Sequence, residues 1–185
     1  MLFVRNKTNN TLVRGILVCP VCPVISITYP FLITDNVGNM ISAILQLHAF
    51  STIFMTGIIW FVQVVHYPLN AKVGEGHFTA FHKSHTSRTG WVVAAPMMIE
   101  LFCSVLLALS PPKAIAVELA LLGLVLVVLI WITTLAFSMP CHGRLSKGFD
   151  ADVLRKLIST NWLRTALWSA RSFLALYFIN RCNLP

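Results

Sequence analysis

Residues 40–65 read "MISAILQLHAFSTIFMTGIIWFVQVV", a run of 26 positions without one charged side chain. An α-helix needs about 20 apolar residues to cross the hydrocarbon core of a bilayer. This stretch therefore predicts a membrane span, and the whole composition agrees with it. Hydrophobic residues make up 57% of the chain and charged ones only 11%, with a mean hydropathy of +0.77. Soluble domains carry about 25% charged residues.

Outward from this run, three more segments read the same way. Residues 89–110, "TGWVVAAPMMIELFCSVLLALS", hold one charge, Glu100, and one proline, Pro96. "SPPK" at 110–113 turns the chain into residues 114–138, rich in Leu and Val, with Glu118 near the start. Residues 161–179, "NWLRTALWSARSFLALYFI", form the fourth run and carry Arg164 and Arg171 inside it. The predicted fold is all-α: a polytopic membrane four-helix bundle over residues 40–180, with a short tail at 181–185.

Residues 1–39 are a leader or an extra N-terminal span. Residues 16–33 are apolar and long enough to cross, but Pro20, Pro23 and Pro30 oppose a regular helix. A signal-like segment or a start placed too far upstream fits equally. Cys19 and Cys22 form a Cys-Pro-Val-Cys pair without the strand-and-helix pattern of a thioredoxin site. The five cysteines are scattered and imply no disulfide framework.

The formal charge of +8 does not point to nucleic acid, because the basic residues sit between apolar runs and form no continuous face. They point to orientation instead. Lys72, Lys83, Arg88, Arg144, Lys147, Arg155 and Lys156 lie on one side of the predicted topology, against Lys113 and Arg181 on the other. Cytoplasmic loops carry the Lys and Arg excess, so both long loops are expected in the cytoplasm of a bacterial inner-membrane protein.

Four of the six histidines fall within 66–88, "HYPLNAKVGEGHFTAFHKSHTSR". With His142, which begins the second long loop, five gather at the cytoplasmic face. Phe78, His82 and His85 follow an i, i+4, i+7 spacing, so a short helix would carry them on one side. His66 ends the first span, and Cys141 with His142 follow the third. Neutral imidazoles brought together there could bind a transition metal or a haem iron, and His66, His82, His85 and His142 are the predicted ligands. Unliganded interfacial histidines, with an apolar ring body and a polar tip, are the plain alternative. His48 stands apart, about 27 Å from His66 along one helix at 1.5 Å per residue, and is placed near Glu118.

Ionisable groups inside a span are costly and find partners in the bundle. Glu100 and Arg171 lie at matching depths in parallel spans, which predicts an ion pair. Arg164 lies shallower and can snorkel to the interface or hold an anion. The functional reading of these three as catalytic groups is a polar pocket for the head of a quinone, polyketide or other hydrophobic small molecule. Trp60, Trp91, Trp162 and Trp168 are candidates for its lining, or interfacial anchors.

The order "HYP", "MPCHGRL", "NWLRTALWSAR" resembles a bacterial four-span membrane family that includes the anthrone oxygenases. The resemblance covers about residues 40–180 and rests on Pro68, Pro140, Asn161, Trp162 and Arg164. It implies a four-span fold and redox-type chemistry, although the histidine richness departs from the family pattern. "GIIWF" after an early histidine is also similar to four-span oxidases of haem biosynthesis. Two readings follow. One is a redox-type membrane protein binding a metal, haem or quinone-like ligand. The other is an accessory subunit that supports a larger membrane complex.

Overall fold

In the computed structural model the backbone of residues 29–183 and the side chains of 38–182 are described. Expectations placed on residues 1–28, Cys19 and Cys22 included, lie outside that range. All regular structure among the described residues is helical. The first long helix runs over Tyr29–Phe61, through a π-helical turn at Val62–His66, and on to Tyr67–Asn70. The second is Glu75–Leu109. The third runs over Val117–Thr133, a π-helical turn at Thr134–Ser138, and Met139–Leu145. The fourth is Ala151–Asn183. The connections between them are short, so successive helices run antiparallel.

Three of the four, over Gly38–Asn70, Glu75–Leu109 and Val117–Leu145, are long and apolar enough to cross a membrane. The fourth is not apolar enough overall, because Asp152, Arg155, Lys156, Arg164, Arg171 and Arg181 lie along it. The exterior is apolar where a soluble protein would be polar: Phe50 is 68% exposed, Trp91 83% and Phe173 75%. Exposed apolar surface on this scale needs lipid or a partner to cover it.

Two predicted boundaries are displaced for one reason. The predicted spans stop at Val65 and Ser138, yet the helix continues past both, through Pro68 and Pro140. Proline lacks an N–H, and its ring crowds the carbonyl four residues back. A widened turn just before each proline relieves that crowding: the N–H of Tyr67 donates to Val62 O, and that of Met139 to Thr134 O. The basic, His-bearing segment before residue 89 is likewise no separate short helix. It is the first part of Glu75–Leu109, which carries His82 and His85 on the same rod as Glu100.

The core is stacked in three apolar layers. One end packs Val62, Tyr67, Phe78, Leu145 and Leu157; the middle packs Met55, Ile59, Met97, Ile130 and Trp168. The far end packs Leu45, Leu107, Ala120 and Phe178. Between the middle and far layers sits a buried ion pair, Arg171 with Glu100. Arg171 Nε donates to Glu100 Oε1 at 2.8 Å, and Nη2 donates to Ser104 Oγ at 2.6 Å. Nη2 also meets His48 Nε2 at 2.6 Å.

A guanidinium only donates, so His48 accepts at Nε2 and carries its proton on Nδ1. Its approach of 3.8 Å to Glu100 Oε1 is therefore a shared contact with the guanidinium, not an ion pair. His48 does not meet Glu118, which is exposed on the third helix. That helix contributes a gap instead: a Cβ on Gly123 would lie 2.6 Å from Arg171 Nη1. Glycine here makes room for the guanidinium.

Breaking one side of a buried pair strands the other charge and costs about 3–5 kcal/mol. Glu100→Leu should therefore unfold more readily than wild type in detergent, and Glu100→Leu with Arg171→Met should recover most of that loss. Equal or additive losses in unfolding midpoint would show that the pair does not stabilise the fold.

Candidate functional site

A second polar layer lies between the middle apolar layer and the end where the 71–74 and 146–150 connections sit. Each helix delivers groups to it. The first gives Gln63, His66 and Tyr67 around its π turn. The second gives His82 and His85, the third Ser138 and His142 around the other π turn, and the fourth Asn161 and Arg164. π turns add a residue to the helical repeat and re-aim the side chains that follow, and they recur at functional sites. Here the two turns face the same space.

That space is a cavity of about 400 Å³, within the range of small-molecule sites. Met55, Ile59, Val62, Val93, Met97 and Met139 form its apolar wall, and Tyr67, His85, Ser138, His142 and Arg164 supply its polar side. Gly90 and Ala94 on the second helix and Met139 on the third line it and are themselves exposed, so the cavity reaches the surface at these residues.

The four histidines predicted as ligands adjoin one another. His82 Nε2 and His142 Nδ1 are 3.2 Å apart, and Tyr67 Oη lies 3.3 Å from His142 Nε2. His66 and His85 stack with ring centroids 3.9 Å apart and planes at 29°. His85 Nδ1 also meets Thr89 Oγ1 at 3.1 Å. His77 is exposed and takes no part.

A metal ion needs ring lone pairs, which lie in the imidazole planes, to converge on one point. His66 and His85 instead lie face to face, while His82 and His142 are turned toward each other. Among the described residues no group of three or more His, Cys, Asp or Glu is placed to hold a metal ion. In this arrangement the four imidazoles do not form a metal-ion site. What the line Tyr67–His142–His82 can do is orient a donor toward the cavity. Each imidazole donates at one nitrogen and accepts at the other, so His82 Nε2 can donate to His142 Nδ1 and His142 Nε2 to Tyr67 Oη, which leaves the Tyr67 proton to point into the cavity. His82 is fully buried and its Nδ1 has no partner.

The three groups read as catalytic separate in space. Arg164 lines the cavity, whereas Glu100 and Arg171 close on each other in the other polar layer. Arg164 Nη1 donates to Asn161 Oδ1 at 3.0 Å and to Ser138 Oγ at 3.2 Å. Asn161 Nδ2 in turn donates to Gln63 Oε1 at 2.7 Å, and Gln63 Nε2 to Ile158 O at 3.3 Å. None of the four tryptophans lines the cavity. Trp168 is buried in the middle layer; Trp60 and Trp162 meet edge to face at 5.8 Å on the outside.

Sequence reasoning missed Tyr67, Ser138, Gln63 and the role of Asn161 beside Arg164. The available signal was the X-Pro pair in "HYP" and "MPC", which marks the two turns that bring these residues inward. No family model, curated protein or solved structure matches the chain.

Tyr67→Phe removes one hydrogen bond and should lower stability by about 1 kcal/mol. Asn161→Leu strips a partner from both Gln63 and Arg164 and should cost about 2–3 kcal/mol. Unfolding midpoints in detergent give the comparison, and the reverse order would mean that the Gln63–Asn161–Arg164 chain does not hold the first and fourth helices together.

Proposed function

We propose that this chain is a multi-pass membrane protein of redox type whose four long helices form a four-helix bundle. In this reading the bundle binds a hydrophobic small molecule with an oxygen-bearing head, of quinone or polyketide type, in the cavity beside Tyr67, His85, His142 and Arg164. The single observation that carries the reading is the cavity's combination of an apolar wall with a group of polar side chains, and exposed lining at Gly90, Ala94 and Met139. An apolar ligand dissolved in the bilayer can enter there without crossing water. Tyr67, held by the His142–His82 line, then offers a hydrogen bond to the ligand head.

The fourth helix crosses as well in this reading. Its internal arginines, Arg164 and Arg171, are buried, while Trp162, Leu163, Phe173, Leu176 and Tyr177 face outward. Hydropathy averaged along the helix mixes these two faces, and only the outward one meets lipid. The seven-to-two distribution of Lys and Arg supports a cytoplasmic position for the 71–74 and 146–150 connections. The likeness to the family that includes the anthrone oxygenases is in keeping with a hydrophobic, polycyclic or quinone-type ligand.

An azido-substituted short-chain ubiquinone, photolysed with the purified protein, should label peptides that contain Met55, Val93 and Met97. Gly90→Trp should reduce that labelling several-fold while leaving the fold intact, because a Cβ at Gly90 meets nothing within 4 Å. Labelling spread evenly over the outer surface, and indifferent to Gly90→Trp, would rule the cavity out as a binding site.

Orientation has its own test. A cysteine introduced at Lys147 should react with a membrane-impermeant maleimide only in opened cells, and one at Lys113 in intact spheroplasts. The opposite pattern would invert the topology.

A further inference from the structure

The two buried arginines of the fourth helix live in opposite electrostatic states. Arg171 is neutralised by Glu100. Arg164 is 8% exposed, too deep to snorkel, and among the described residues its hydrogen-bond partners are the neutral oxygens of Asn161 and Ser138. Both bonds come from Nη1, and its buried Nε has no partner among the described residues.

The described carboxylates are all committed elsewhere. Glu100 holds Arg171, Asp150 pairs with Arg144 and Asp152 with Arg155, while Glu75 and Glu118 are exposed. Among the described residues, none forms a salt bridge with Arg164. A guanidinium does not give up its proton in a protein. Leaving it charged in an apolar cavity without a counter-ion costs several kcal/mol, and that cost is relieved by any anion that reaches it.

We propose that the cavity takes a lipophilic oxyanion, a carboxylate or an acidic phenolate or enolate on an apolar body, and that Arg164 is its counter-ion. This rests on the cavity reading above and adds the charge of the ligand to it. The guanidinium fork matches two oxygens of a carboxylate or of an adjacent-oxygen aromatic head. Tyr67 Oη, on the same wall and accepting from His142 Nε2, can donate its own proton to a remaining oxygen. The apolar body then lies along Met55, Ile59 and Met97 and leaves past the exposed Gly90, Ala94 and Met139. A carboxylate from a fatty acid and a phenolate from an aromatic molecule share this chemistry.

The test is displacement of the azido-quinone probe. At about pH 9, well above an ordinary carboxyl pKa, dodecanoate should displace it at least about tenfold better than methyl dodecanoate at equal mole fraction in the micelle. A dodecyl nitrophenol set against its methyl ether makes the same comparison for a phenolate, and the larger preference names the source. Arg164→Met should erase the preference for the anion. Arg164→Lys, which keeps the charge without the fork, should retain part of the preference.

Equal displacement by anion and neutral partner, or displacement by neither while the probe still labels the cavity, overturns the oxyanion proposal and leaves the cavity reading standing. A preference that survives in Arg164→Met overturns it too. Should Arg164→Met fail to accumulate, Arg164→Gln takes its place, with the same loss of preference expected and a surviving preference again overturning the proposal. Failure of the probe to label the cavity at all removes both readings.

Discussion

The buried contact between Glu100 and Arg171 constrains everything around it. A charge pair with essentially no exposure is tolerable only with further polar contacts and room for the guanidinium. His48 on the first helix and Ser104 on the second accept from Arg171 Nη2, and Gly123 on the third leaves space beside Nη1. Rotating any one of these helices by a residue would pull its contribution away from the guanidinium. The pair thus fixes the rotational setting of all four helices, which apolar ridges alone fix loosely because Leu and Val tolerate repacking.

With the rods set there, the neighbouring polar layer forms at the other side of Met55, Ile59, Met97, Ile130 and Trp168. Arg164 precedes Arg171 by seven residues, two helical turns, so the two arginines share one inward face. Setting Arg171 against Glu100 therefore also aims Arg164 inward, beneath the two π turns. The first position has a carboxylate waiting and the second has an empty apolar space. This asymmetry between two otherwise similar side chains is the clearest sign of where a ligand would bring charge.

The prolines matter through what they remove. At Pro68 and Pro140 a backbone hydrogen bond is lost, and the helix widens rather than stops. Tyr67 and His142 follow the widened turns and reach each other across the first and third helices. Regular α-helices through these positions would present different residues to the cavity. The line from Tyr67 to His82 is in this sense a consequence of two missing N–H groups.

Much of this was legible in the amino-acid order. The runs at 40–65, 89–110 and 114–138 announce apolar rods, because lipid selects for local hydropathy and hydropathy sums along the chain. Counting 1.5 Å per residue sufficed to set Glu100 and Arg171 at one depth, and to gather His66, His82, His85 and His142 at one end. Depth along a helix is a one-dimensional property, and sequence records it. Facing is not. Whether His48 meets Glu118 or Arg171, whether a tryptophan lines the cavity or lipid, and which arginine finds a carboxylate all depend on how four rods are turned against one another. Periodicity can show that a residue shares a face with its neighbour two turns on, but not what stands opposite. That was decided by packing: by a glycine that leaves room, by a buried pair that must be satisfied, and by two prolines whose missing hydrogen bonds turned the chain inward.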